Sequence, residues 1–125
     1  MMWQNILFVA FGGAVGSVCR YLTSRLFEAS FPWATLLVNI MGSLLIGLLV
    51  GLSSKNVISP DMKLLLVTGF CGGFTTFSTF ANESFGMMKA GDVLLAALYV
   101  GLSVAIGIMA VWLGMNVSDC FVKTR

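Results

Sequence analysis

Gly69-Phe70-Cys71-Gly72-Gly73-Phe74-Thr75-Thr76-Phe77-Ser78-Thr79-Phe80 lies inside the uncharged run 64–82, and its reading decides the fold. Three glycines followed by four Ser and Thr residues make a poor helix, because glycine costs backbone entropy and hydroxyls compete for backbone partners. Irregular backbone at membrane depth must be buried in protein or line a watery cavity, since lipid cannot satisfy N–H and C=O groups. A broken span also presents free N–H groups to an anion and unwound carbonyls to a cation. The alternative is a continuous helix whose hydroxyls bond back to its own carbonyls.

The apolar character extends over all 125 residues: 58% are hydrophobic, 10% are charged, and the mean hydropathy is +0.99. A soluble domain carries about 25% charged residues, so a cytosolic globule, a disordered chain and a disulfide scaffold are excluded. At about 20 residues per span, four spans take ~80 residues and leave only short loops. Function is therefore expected inside the bilayer. The net charge is +2, and no basic cluster of the kind that grips nucleic acid is present. There is no histidine, and Cys19, Cys71 and Cys120 have no C-x-x-C spacing, so they read as small apolar packing residues. The apolar run from Ile6 reads as a first span and not a signal peptide, because no Lys or Arg precedes it.

Charges and turn residues divide the chain into a single four-helix membrane domain with spans at about 5–27, 33–53, 63–88 and 93–117. Pro32 suits the start of the second span, 53–63 is the one substantial loop, and Ala90-Gly91-Asp92 is a short turn. The tail from Cys120 to Arg125 reads as polar and mobile. One side would hold Lys55, Lys63, Lys123 and Arg125, and the other Arg25 and Lys89, joined by Arg20 if it snorkels. That weak bias leaves open a singly oriented protein and a chain inserted both ways, which would permit an antiparallel homodimer.

Small residues recur at four-residue spacing: Gly12 and Gly16, Gly47 and Gly51, Gly69 and Gly73, then Ala97, Gly101 and Ala105. Such stripes let helix backbones approach and should pack against protein, within one chain or across a dimer. Asn39 shares a face with Thr35 and Ser43, and Tyr99 and Ser103 repeat that spacing in the fourth span, with Gly107 next. The small and polar faces of the fourth span lie roughly opposite one another. This predicts packing on one side and a pathway on the other, with polar glue between helices as the alternative. Arg20 and Glu83 are the only ionisable residues in or near a span interior, which makes both functional candidates. Glu83, three residues after Phe80, is placed to cap or orient a polar network. Neither has a histidine, a nucleophile or a second carboxylate beside it, so catalysis is not supported.

Gly12-Gly13-x-x-Gly16-x-x-x-Arg20-Tyr21, Thr35-Leu36-x-Val38-Asn39-x-x-Gly42-Ser43 and the opening stretch resemble the Fluc-type (CrcB-like) bacterial fluoride channels over essentially the whole chain. Ala34 stands where that family commonly has glycine, and Phe74 where leucine is frequent; neither is a proposed ion ligand. The resemblance implies an all-α integral membrane protein with a broken third helix, paired as an antiparallel dual-topology homodimer with two fluoride pores along the interface. It implies a structural Na+ at the centre of that interface, held by the backbone carbonyls of Gly72 and Thr75. Asn39 would line the pore opposite Phe77 and Phe80, with Ser78 and Thr79 beside them. Tyr99 and Ser103 would continue the track, with Glu83 near it and Arg20 at a vestibule. The protein would reside in the bacterial inner membrane as a multi-pass channel that sheds cytoplasmic fluoride passively and so relieves its toxicity.

The chemistry is reasonable, since aromatic rings have a positive edge that can meet a small anion. Fluoride also needs amide and hydroxyl donors to replace its water, and no fixed positive charge is required in the narrow part. A competing class is the small proton-coupled multidrug antiporter, also a four-helix dual-topology dimer. That mechanism needs a carboxylate in the first span, and 6–26 contains none. A non-transporting assembly subunit would leave the broken span unexplained.

Overall fold

The structure, a computed structural model, describes residues 2–123. Four helical segments are long and apolar enough to cross a membrane: Met2–Leu26, Trp33–Ser54, Pro60–Lys89 and Val93–Lys123. The first, second and fourth are the continuous helices α1 (Met2–Leu26), α2 (Trp33–Ser54) and α6 (Val93–Lys123). The third is composite. It starts as α3 (Pro60–Lys63), winds as a π-helix over Leu64–Cys71, returns to α4 (Gly72–Phe74), breaks, and resumes as α5 (Phe77–Lys89).

Local chemistry sets the ends. Ser59 caps α3 by accepting from the Met62 N–H at 3.2 Å, with Pro60 in the first turn, where its missing donor costs nothing. Just past the ends of α2 and α5 stand Asn56 and Gly91, both with positive φ, 59° and 91°. In each case the next residue reaches back across the last turn: Val57 N–H to the Leu52 carbonyl at 3.0 Å, Asp92 N–H to Met87 at 2.9 Å.

The spans pack in two pairs, α1 on the composite span and α2 on α6, with α5 also lying against α6. Bare glycine backbone makes both contacts. A methyl group on Gly12 would strike the Leu65 carbonyl and lie 2.8 Å from the Phe70 nitrogen, and one on Gly16 would strike the Phe70 carbonyl. On the other pair, Gly47 meets the Val111 carbonyl and Gly114 that of Leu44. Three of the four small-residue stripes are thus used inside the chain. The fourth is not: Ala97, Gly101 and Ala105 are exposed, and no atom comes within 4 Å of a methyl group built on Gly101.

Within the single chain the fourth span thus follows the polar-glue alternative. Its polar face, with Tyr99 only 1% exposed, packs against protein, while its small face stays open. The tail also differs from the sequence reading. α6 continues as helix through Lys123, because Ser118 seats against Gly51 and Asp119 pairs with Lys55. Thr124 and Arg125 lie outside the described residues.

Candidate functional site

The break falls at Thr75 and Thr76, whose backbones are extended (ψ 158° and 121°), and not at the glycines before them. Gly69 and Gly73 remain helical because their missing side chains admit α1; a methyl on Gly69 would sit 3.0 Å from the Gly12 Cα. The break is held from α2. The Thr76 N–H donates to Asn39 Oδ1 at 2.8 Å, and Asn39 Nδ2 donates to the Thr76 carbonyl at 3.1 Å. One side-chain amide thus satisfies both backbone groups of the extended residue, as a paired strand would. In an unbroken helix that N–H would have served the Gly72 carbonyl.

Each side of the break is finished locally. Thr75 donates its hydroxyl to the Cys71 carbonyl at 2.8 Å, closing the first half-helix. Thr76 Oγ1 accepts from the Thr79 N–H at 3.2 Å and lies 3.1 Å from the Thr79 hydroxyl, which caps α5. Arg20 Nε reaches from α1 to the Gly73 carbonyl at 3.1 Å, a group the break deprives of its helical donor.

Around this break the candidate residues divide into three groups. Asn39, Phe77 and Phe80 border one cavity of about 240 Å³ together with Ser43 and Thr76. The two rings are 6.0 Å apart and tilted by 56°, and Phe77 is 79% exposed. Arg20 and Thr79 border a smaller polar cavity of about 100 Å³ on another side, with Ser24, Thr35 and Thr76. Glu83 and Tyr99 form the third group with Thr35. The Thr35 hydroxyl donates to Glu83 Oε2 and the Tyr99 hydroxyl to Oε1, each at 3.0 Å. Both carboxylate oxygens are thereby supplied, and the carboxylate ties α5 to α2 and α6.

Tyr99 also carries aromatic contacts to Phe80 at 5.1 Å and to Phe31, edge to face, at 5.4 Å. Ser103 Oγ is buried and has no partner among the described residues. Ser78 is exposed at the start of α5 and borders none of these cavities. Gly72 is exposed, with open space where a side chain would stand. Sequence reasoning passed over Thr35, Ser43 and Thr76 as site residues. The signal for the first two was there, in the four-residue spacing they share with Asn39.

The chain matches the family described as CrcB-like protein, Camphor Resistance (CrcB), over residues 7–115. Among curated relatives, the "Fluoride-specific ion channel FluC" of Flavobacterium psychrophilum is 45% identical over 120 residues, covering 92% of this chain and 97% of the relative. A protein of the same name from Chlorobaculum tepidum is 48% identical over 118 residues, 91% of this chain and 94% of its own. "Fluoride-specific ion channel FluC 2" of Rhodococcus jostii is 49% identical over 118 residues, 93% of this chain and all of its own. With the match spanning all four helices and the broken segment between them, the chain belongs to the CrcB-like family.

Proposed function

We propose that this chain is a passive, fluoride-selective ion channel of the bacterial inner membrane that lets cytoplasmic fluoride escape. The observation that carries the reading is the cavity bordered by Phe77, Phe80 and Asn39 at a pinned helix break, in a family whose relatives bear a fluoride-channel name. Ring edges offer positive potential without a fixed cation. Among the described residues no charged one borders this cavity, so a small anion would be attracted and not trapped. The protein acts as a conduit and not as an enzyme.

The proposal includes a homodimer of two oppositely oriented chains. Phe77 is 79% exposed, so the second half of any wall around the ion would come from elsewhere, and a two-fold copy would supply the same ring. The Gly72 and Thr75 carbonyls fit a structural Na+. The Thr76 N–H has turned from Gly72 to Asn39, Thr75 lies in extended backbone, and Gly72 is open on its outer side. Carbonyl oxygens of this kind suit a hard cation, whose charge would tie two such sets together. Ser78, Thr79, Tyr99, Ser103, Glu83 and Arg20 are proposed to support the path, with Arg20 and Thr79 at its polar side cavity.

The small multidrug antiporter reading is not favoured, since α1 contains no carboxylate to exchange a proton. The test is fluoride efflux from liposomes holding the purified protein, followed with a fluoride electrode. Efflux no faster than from protein-free liposomes would reject the channel.

A further inference from the structure

The cavity beside the break is short of free donors. Thr75 spends its hydroxyl on the Cys71 carbonyl, and Thr76 is engaged with Thr79. Asn39 commits its oxygen and one amide N–H to Thr76. Ser43 is different: it borders the cavity, is half-buried, and has no hydrogen-bond partner among the described residues.

Helix register explains why it is free. Thr35 and Tyr99 share Glu83, Gly47 lies on Val111, and Ser43 lies beside Gly107, all at one constant offset along α2 and α6. A methyl built on Gly107 would stand 3.7 Å from Ser43 Oγ. A hydroxyl there would have been Ser43's natural partner, but α6 presents bare backbone at this rung. One turn earlier, Ser103 Oγ is buried and equally unpartnered. The Ser43 hydroxyl makes no hydrogen bond among the described residues, and an unused donor at membrane depth costs free energy.

We propose that Ser43 donates its hydroxyl to the permeating anion, one helical turn (about 5.4 Å) beyond Asn39. The inference rests on the fluoride reading. Fluoride is an acceptor only, so an O–H with no protein acceptor suits it, and a hydrogen bond to a charged group is short and strong. Phe77 and Phe80 supply ring edges to the ion, while Ser43 supplies a replacement for one of its waters.

The test compares wild type, Ser43→Ala, Ser43→Thr and the double variant Ser43→Ala/Gly107→Ser in liposomes, by fluoride efflux. Size-exclusion profiles confirm assembly. Loss of one charge-assisted bond predicts efflux about tenfold slower in Ser43→Ala. Ser43→Thr keeps the donor and conducts faster than Ser43→Ala. The double variant returns a hydroxyl to the same rung from the opposite helix, so efflux recovers. Ser43→Ala at the wild-type rate would overturn the proposal. So would a slowed Ser43→Ala that neither Thr nor the double variant relieves, since that pattern belongs to packing. Wild type that passes no fluoride would remove the channel reading and this inference with it, an outcome plainly different from the other two.

Discussion

Asn39→Asp is the sharpest perturbation, because it changes one atom of the clamp that holds the break. The carboxylate still accepts from the Thr76 N–H, now at 2.8 Å, but its second oxygen faces the Thr76 carbonyl across 3.1 Å where an N–H stood. Stranding that carbonyl costs about 1–3 kcal/mol. A carboxylate in mid-span adds about 2.5–3.5 kcal/mol on the insertion scale. The combined loss is about 3.5–6.5 kcal/mol, comparable with the total stability of many domains. The anion would also meet a negative charge at the cavity. Expected outcomes are fluoride efflux near the liposome background and a lowered unfolding temperature in detergent, since volume hardly changes and packing is spared. Because Asn39 holds the backbone, both readouts should move together. Unimpaired efflux at neutral pH would remove Asn39 from the conduction machinery, and normal efflux with normal stability would refute the clamp as well.

Three further outcomes follow from the geometry. Phe77→Ile or Phe80→Ile should abolish efflux while the size-exclusion profile is unchanged, because the aliphatic chain keeps bulk and loses the positive ring edge; wild-type flux in both would sink the aromatic mechanism. Gly16→Ala should destroy folded protein on detergent extraction, since its methyl would strike the Phe70 carbonyl and sit 2.9 Å from the Phe74 nitrogen, whereas Gly101→Ala meets open space and should extract normally. Single cysteines near Asn56, in a background lacking Cys19, Cys71 and Cys120, should label from both sides of the membrane; one-sided labelling in conducting protein would overturn dual topology.

Four apolar spans were legible from composition and the placing of charges, and a broken third span from its glycines and hydroxyls. The site of the break was not. The glycines of 69–80 read as weak helix, yet the bare backbone of Gly69 and Gly73 serves contact with α1, and the chain stays helical there. The extended residues are Thr75 and Thr76, because Asn39, 37 positions earlier, captures the Thr76 backbone. No local propensity encodes a partner so distant. Tyr99 and Ser103 read from spacing as a pathway face, with polar glue as the alternative; inside the chain Tyr99 is tied to Glu83 and the Ser103 hydroxyl is buried, contacts that spacing alone does not reveal. Glu83 itself was legible as an organiser of polar groups, though Thr35 as its partner was not.

The faces left open by the single chain bear on what completes it. Phe77 stands 79% exposed beside an extended backbone, and Ser78, next in the first turn of α5, is exposed as well. Lipid can satisfy neither the free first-turn N–H groups of α5 nor the carbonyls released at Gly72 and Thr75. The internal partners are already spent: Asn39 on Thr76, Arg20 on Gly73, Thr76 on Thr79. A second copy related by a two-fold axis would bring the same ring, the same donors and the same carbonyls with it, making the surface its own complement. The carbonyl sets would then need a cation between them, and the donors and ring edges an anion. In the proposed dimer both ion sites would follow from one feature: a helix broken at Thr75 and Thr76 offers acceptors at the end of one half and donors at the start of the next.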